Sequence, residues 1–250
     1  MPLAWVLHDG KAGMASQAVG LAEASGFPFV EKPLAIRLPW RLLPPRLWFL
    51  PQHAAGDAGL KPPWPDLVIA CGRNAAMPAL AIRRMSGGHT VAAQIQDPGI
   101  GYGAFDLFVV PRHDRLRGAR VLVTQGAVHR VTPARLAAAR QRFAAFAALP
   151  RPILTVLIGG NNRAYRLTLP RLAEIAEAIR GVLATTGGSA LVTPSRRTGD
   201  AGEALLRQRL AGLPAMIWDG AGDNPYFAYL AYADAFLVTA DSVSMISEAA

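Results

Sequence analysis

Short apolar runs, each closed by a glycine or a small polar residue and followed by a stretch with helical spacing, recur along this chain. The pattern is clearest after Pro152: ILTVLIGG at 153–160, SALVTPS at 189–195, AMIWDG at 215–220, then AFLVTA near the end. Helices are expected near 168–186 and 201–211, over PYFAYLAYAD, and after Asp241. The first part alternates in the same way, with strands read at 3–8, 66–72, 90–96, 106–111 and 120–126. Helices are expected there over about 14–25, after Gly72, and over 133–149, where Pro133 suits a first turn. Strands alternating with amphipathic helices require right-handed crossovers and therefore mainly parallel sheets. Pro150-Arg151-Pro152 breaks the alternation. The expected fold is α/β, with two Rossmann-like domains at 1–150 and 151–250. In such sheets ligands sit beyond the carboxyl ends of the strands.

Composition narrows the class. Apolar residues at 52% and charged residues at 17% suit a globular chain with a substantial core. No window approaches 18 uninterrupted apolar residues, so no membrane-spanning helix is expected, and MPLAWVLHDG lacks the basic leader of a secretory signal. Cys71 is the only cysteine, which excludes an internal disulfide and fits a reducing, cytoplasmic compartment. The formal net charge of +9 suits an acidic partner. The basic residues are scattered, however, with no long run and little aromatic interleaving, so nucleic acid is not expected. One stretch, LPWRLLPPRLWFLP at 38–51, fits neither strand nor helix. Its tryptophans and arginines suit a membrane–water interface; the alternative is a proline-rich loop whose large side chains pack on the core.

Several strand ends carry chemistry. There is no G-x-G-x-x-G after the first strand, no P-loop, no Asp-x-Asp pair and no H-E-x-x-H, so neither a cofactor nor a metal is expected. HDGKAGMASQ combines Asp9, a possible base, with Gly10, Lys11, Gly13 and Gln17. QIQDP ends a strand at Asp97, and VPRHD ends another at His113, either of which could also serve as base. TQGAVHR adds Gln125 and His129 on the same edge. In the second domain, Gly159, Gly160 and Asn161 could cradle a phosphate or sugar, while Ser195, Arg196 and Arg197 suit a diphosphate. Asn224 opens one helix; Ser242 and Ser244 open the last, which carries Glu248. A sugar nucleotide needs this combination, with hydroxyls and a helix N-terminus for the diphosphate and a carboxylate for the ribose.

DGKAGMASQ, QIQDP, VVPRHD, TQGAVHRVT, IGG, SRRT, NPYF and TADSVSMISEA together resemble the mitochondrial-fission (elongated-mitochondria) family, whose bacterial members are described as glycosyltransferases. The resemblance covers nearly the whole chain. It implies the two-Rossmann architecture called GT-B, shared with the enzyme that adds N-acetylglucosamine to the lipid-linked peptidoglycan precursor. An acceptor site in the first domain and a nucleoside diphosphate sugar in the second follow from it, without a metal. A lipid-linked acceptor and a peripheral place at the inner membrane are compatible with that. It also implies a further strand and closing helices after the Ser/Glu helix, so the second domain is expected to be incomplete at Ala250.

The expected activity is metal-independent glycosyl transfer in an interdomain cleft, with Asp9, then Asp97 or His113, as base. Ser242, Ser244 and an arginine would stabilise the leaving diphosphate. Two alternatives stand beside it. One is a non-catalytic recruitment protein on the same fold, the role for which the family's plant members are known; the other is a sugar-nucleotide epimerase.

Overall fold

The computed structural model describes residues 1–56, 58–162 and 164–250. These form two compact units, Met1–Arg130 and Val131–Ala250. In the first unit the elements run β1 (Ala4–His8), α1 (Ala12–Ser25), β2 (Phe29–Pro33), β3 (Leu67–Cys71), α2 (Arg73–Met85), β4 (Val91–Ile95), β5 (Leu107–Pro111) and β6 (Val121–Thr124). The strands make one sheet in the order β2-β1-β3-β4-β5-β6, with every pair parallel. The order reverses at β1, which opens a crevice between the carboxyl ends of β1 and β3.

Both faces of this sheet are covered, so its central strands are apolar at consecutive positions and do not alternate. Trp5 and Leu7 face a core with Val68, Ile82 and Phe108, while Val6 packs with Val19, Ile69 and Val109. Arg83 of α2 grips Asp106 through two hydrogen bonds of 2.8 Å, and the Ala92 N–H donates to the same carboxylate at 2.9 Å. That clamp ties helix to sheet, and it holds the Asp106 carboxyl below its usual range.

The second unit comprises α3 (Pro133–Arg142), β7 (Ile153–Ile158), α4 (Leu169–Thr186), β8 (Ser189–Pro194), α5 (Gly199–Arg209), β9 (Ala215–Ile217), α6 (Tyr226–Tyr232), β10 (Ala235–Val238) and α7 (Val243–Ala249). Its parallel sheet has the order β10-β7-β8-β9, which puts the reversal between β7 and β10. Thr168 caps α4, its hydroxyl accepting from the Arg171 N–H, and Gly187 ends that helix in a left-handed conformation.

Three details depart from the sequence reading. β2 was not anticipated; it is an edge strand with Glu31 exposed and Pro33 at its end, so it lacks an apolar signature. The long helix expected over 133–149 stops at Arg142, where Phe143 leaves helical geometry and stacks on Phe146 at 5.6 Å. The division between units falls before α3, ahead of the expected break at Leu149–Pro152, because α3 packs against α6. Arg140 of α3 donates to the Ala231 carbonyl at 2.8 Å, and Phe146 lies among Tyr229 and Tyr232. The AFLV run forms the sheet-edge strand β10, with Phe236 exposed.

Candidate functional site

In the first unit the crevice at β1 and β3 gathers part of the expected set. Asp9 follows β1 directly, and its half-buried carboxylate pairs with the Lys11 ammonium at 2.5 Å. Gly10 turns the chain at φ 75°, and its N–H donates to Nδ1 of the buried His8 at 3.2 Å. That bond places the His8 proton on Nε2, which faces Glu31 at 3.4 Å. Lys11 caps α1, and Gly13 lies in its first turn, accepting through its carbonyl from Gln17. Gln17 is buried and accepts from the Gln96 side chain at 3.1 Å, bridging α1 to the end of β4. Gln96 holds a φ of 65°, a strained conformation for a residue with a side chain.

The three candidate bases do not converge. Parallel strands lie about 4.8 Å apart, so the end of β4 is roughly 10 Å from that of β1, and the end of β5 about 14 Å. Asp97 organises its own loop, accepting from the Gly99 N–H at 2.8 Å and the Tyr102 hydroxyl at 2.9 Å. His113 is exposed, 3.8 Å from Asp114. Gln125 is also exposed. His129 matters through its backbone: a Cβ on Gly20 of α1 would lie 2.7 Å from the His129 carbonyl oxygen. Asp9 is therefore the one candidate at the point where strand order reverses. The buried Cys71 thiol at the end of β3 is pushed up strongly by burial and by the nearby Asp9 charge.

In the second unit a polar network closes the carboxyl ends of β7, β8 and β10. Asp241 is at its centre, with its side chain only 5% exposed. It accepts from the Gly160 N–H at 2.9 Å, the Thr239 hydroxyl at 2.7 Å and the Arg197 guanidinium at 2.7 Å. Burial alone would push its carboxyl up, but the Thr239, Gly160 and Arg197 donors together hold it below the usual range.

The two glycines owe their smallness to this network. A Cβ on Gly159 would lie 2.1 Å from the Asp241 carboxylate, and one on Gly160 would lie 2.2 Å from the Arg197 carbonyl oxygen. Their N–H groups go to Thr239 and Asp241, so the expected backbone cradle is filled by the chain's own groups. Asn161 accepts from the Leu167 N–H and orders the loop. Ser195 and Thr198 both donate to the Gly159 carbonyl, at 2.7 and 2.6 Å, which pins them to β7. Arg197 keeps 39% of its side chain exposed at the edge; Arg196 is exposed as well.

The loop after β9 leads into α6, where Asn224 accepts from the Tyr226 N–H. The Tyr226 hydroxyl donates to Glu248 of α7 at 2.5 Å. Burial and the Glu248 charge push that phenol up strongly. Ser242 caps α7, and Ser244 lies in its first turn; α7 is only Val243–Ala249. Asp241, Thr239, Tyr226, His8 and Gln96 were not singled out from sequence. Only the Thr-x-Asp spacing after an apolar run hinted at the first two.

Two cavities lie elsewhere. One of about 430 Å³ is lined by Glu31, Lys32, Arg37 and Gly56, and one of about 420 Å³ by Phe143, Phe146, Trp218 and Tyr229. Among the described residues no three His, Cys, Asp or Glu side chains group as metal ligands, and no helix is long and apolar enough to cross a membrane.

Two all-parallel α/β units, each with its polar residues at a strand-order reversal, define a protein of the two-Rossmann GT-B class. Solved structures of that shape agree, although at 12–13% identity they speak to fold alone. The UDP-GlcNAc 2-epimerase of Methanocaldococcus jannaschii has a TM-score of 0.56, covering 100% of this chain and 81% of that one. The Neisseria meningitidis epimerase, solved bound to UDP-GlcNAc, has a TM-score of 0.53 and covers 98% and 79%. Residues 12–250 match the family described as Mitochondrial fission ELM1, and the chain belongs to that family. It is 35% identical over 210 residues to the Mitochondrial fission protein ELM1 of Arabidopsis thaliana, a match covering 74% of this chain. The chain spans about half (49%) of that relative's length.

Proposed function

We propose that this protein binds a nucleoside diphosphate sugar at the carboxyl edge of the second sheet and transfers the sugar to an acceptor hydroxyl without a metal. The observation that carries the reading is Arg197, an arginine locked by the buried Asp241 yet open to solvent at the strand-order reversal. A guanidinium held in this way meets a diphosphate with its geometry already set, so little ordering cost remains on binding. Glu248, positioned by Tyr226, is the carboxylate for the ribose hydroxyls. Asp9 is the base for the acceptor, which the first unit holds, and Lys11 sits beside that carboxylate.

Fold alone does not separate transfer from epimerisation, because the UDP-GlcNAc 2-epimerases named above share the architecture. One experiment separates the two. Incubation with radiolabelled sugar nucleotides, with and without a membrane extract as acceptor source, is followed by chromatography of donor and products. Acceptor-dependent release of nucleoside diphosphate supports transfer. Conversion of the donor sugar without acceptor supports epimerisation. Donor that binds but is never consumed leaves the recruitment role of a non-catalytic fold and overturns both.

A further inference from the structure

The segment rich in tryptophan and proline does not pack wholly on the core. It folds as three short 3-10 turns, Trp40–Leu42, Pro45–Leu47 and Pro51–His53. Trp48 is the anchor: it is buried, and its indole N–H donates to the Leu43 carbonyl at 3.0 Å. The last two turns rest on α2. Trp40 ties the two arms together, donating to the Phe49 carbonyl at 2.6 Å with its ring 5.3 Å from the Phe49 ring.

The remaining large side chains turn outward. Leu38, Leu42, Leu47, Phe49 and Leu50 are each between 55 and 79% exposed. Leu50 also adopts a left-handed backbone at φ 43°, a conformation leucine takes only when the turn around it is firmly held. Five exposed large apolar residues within thirteen positions are far from a normal scatter over a soluble surface. Arg37, Arg41 and Arg46 are exposed among them, and no Asp or Glu occurs from Lys32 to Gly56.

We infer that residues 38–50 form a docking surface for an anionic lipid bilayer, into which the leucines and Phe49 insert while the arginines meet the headgroups. Charge complementarity selects this occupant. A protein partner's surface carries both signs and rewards both signs in return, whereas the charged residues of residues 37–50 are all arginines, which suits a surface of one sign. Leu and Phe beside Trp and Arg is also the composition that settles at the depth of the lipid headgroups. The surface lies within the first unit and is independent of the donor site proposed above.

The test is co-sedimentation of the purified protein with phosphatidylcholine vesicles, with and without phosphatidylglycerol. The protein is expected to sediment with the phosphatidylglycerol vesicles only, and less so as salt is raised. Leu42→Ser with Phe49→Ser should abolish binding. Arg41→Gln with Arg46→Gln should weaken it about 25-fold, each arginine contributing about fivefold near an anionic surface. Both variants change exposed side chains, and an unchanged melting temperature verifies their fold. Should the serine variant melt early, the glutamine variant and its loss of salt dependence decide. Wild-type protein that stays in the supernatant at low salt, or a folded serine variant that binds like wild type, overturns the inference, whatever protein the surface then captures.

Discussion

Replacing Asp241 by alanine removes the group on which three strand ends of the second unit converge. The carboxylate is 5% exposed and takes hydrogen bonds from Gly160, Thr239 and Arg197, so the variant strands a backbone N–H, a hydroxyl and a guanidinium together. Breaking a buried ion pair from one side costs about 3–5 kcal/mol. Arg197 is 39% exposed and rehydrates in part, which puts the expected loss near the lower end, about 3 kcal/mol. At about 2–4 °C per kcal/mol, the melting temperature should fall by roughly 6–12 °C. Asp241→Asn keeps the volume and one acceptor and should lose about half as much. The pH dependence carries a definite sign. Because the folded carboxyl is held below its usual range, its contribution is complete above the unfolded value of about 4. It is lost as pH falls through the lower folded value, so wild type and Asp241→Asn should converge in acid. Scanning calorimetry at neutral and acidic pH reads both effects. An Asp241→Ala protein that melts within a degree of wild type at pH 7 would refute the reasoning.

Other expectations follow from the same contacts. Gly160→Ala should destabilise the second unit by about 1–3 kcal/mol, since its Cβ meets the Arg197 backbone at 2.2 Å and a backbone cannot rotate aside; urea unfolding measures it. Gly20→Ala should destabilise the first unit similarly, despite alanine's helical advantage of about 1 kcal/mol, because the clash is with the His129 carbonyl. Cys71, buried with its thiol pushed up, should resist a thiol reagent at pH 8 in the native protein and react fully in denaturant. Asp9→Asn should lower turnover at least about a hundredfold while leaving donor affinity unchanged in calorimetry. Glu248→Ala and Tyr226→Phe should both weaken donor binding; equal affinity in either would remove the ribose role.

Fold and site were legible to different depths. The central strands announce themselves because both sheet faces are covered, so Ala4–His8 is apolar up to Leu7 and Ile153–Ile158 is apolar at all but Thr155. β2 is silent in the sequence because an edge strand can carry Glu31, Lys32 and Pro33. Asp9, Gly160 and Arg197 could be located at strand ends from spacing alone. Their partners could not: Gly160 donates to Asp241 across 81 positions, and nothing local says that the neighbouring Gly159 is small to admit that carboxylate. The outward turn of Leu42 and Phe49 was equally hidden, since exposed and buried leucines look alike in a proline-rich stretch. Only Trp48, held by Leu43, shows which ring the core takes.

The central claim is that the second unit binds a nucleoside diphosphate through Arg197. Thermal unfolding of the protein with UDP, GDP, CMP and ADP sugars, beside an Arg197→Ala variant, tests it most directly. A ligand at 100 times its dissociation constant should stabilise the fold by about 2.7 kcal/mol. One nucleotide class is expected to give that shift, and the variant, itself folded, is expected to lose it. Well-folded wild-type protein that no nucleotide stabilises, or a variant that responds as strongly as wild type, would contradict it.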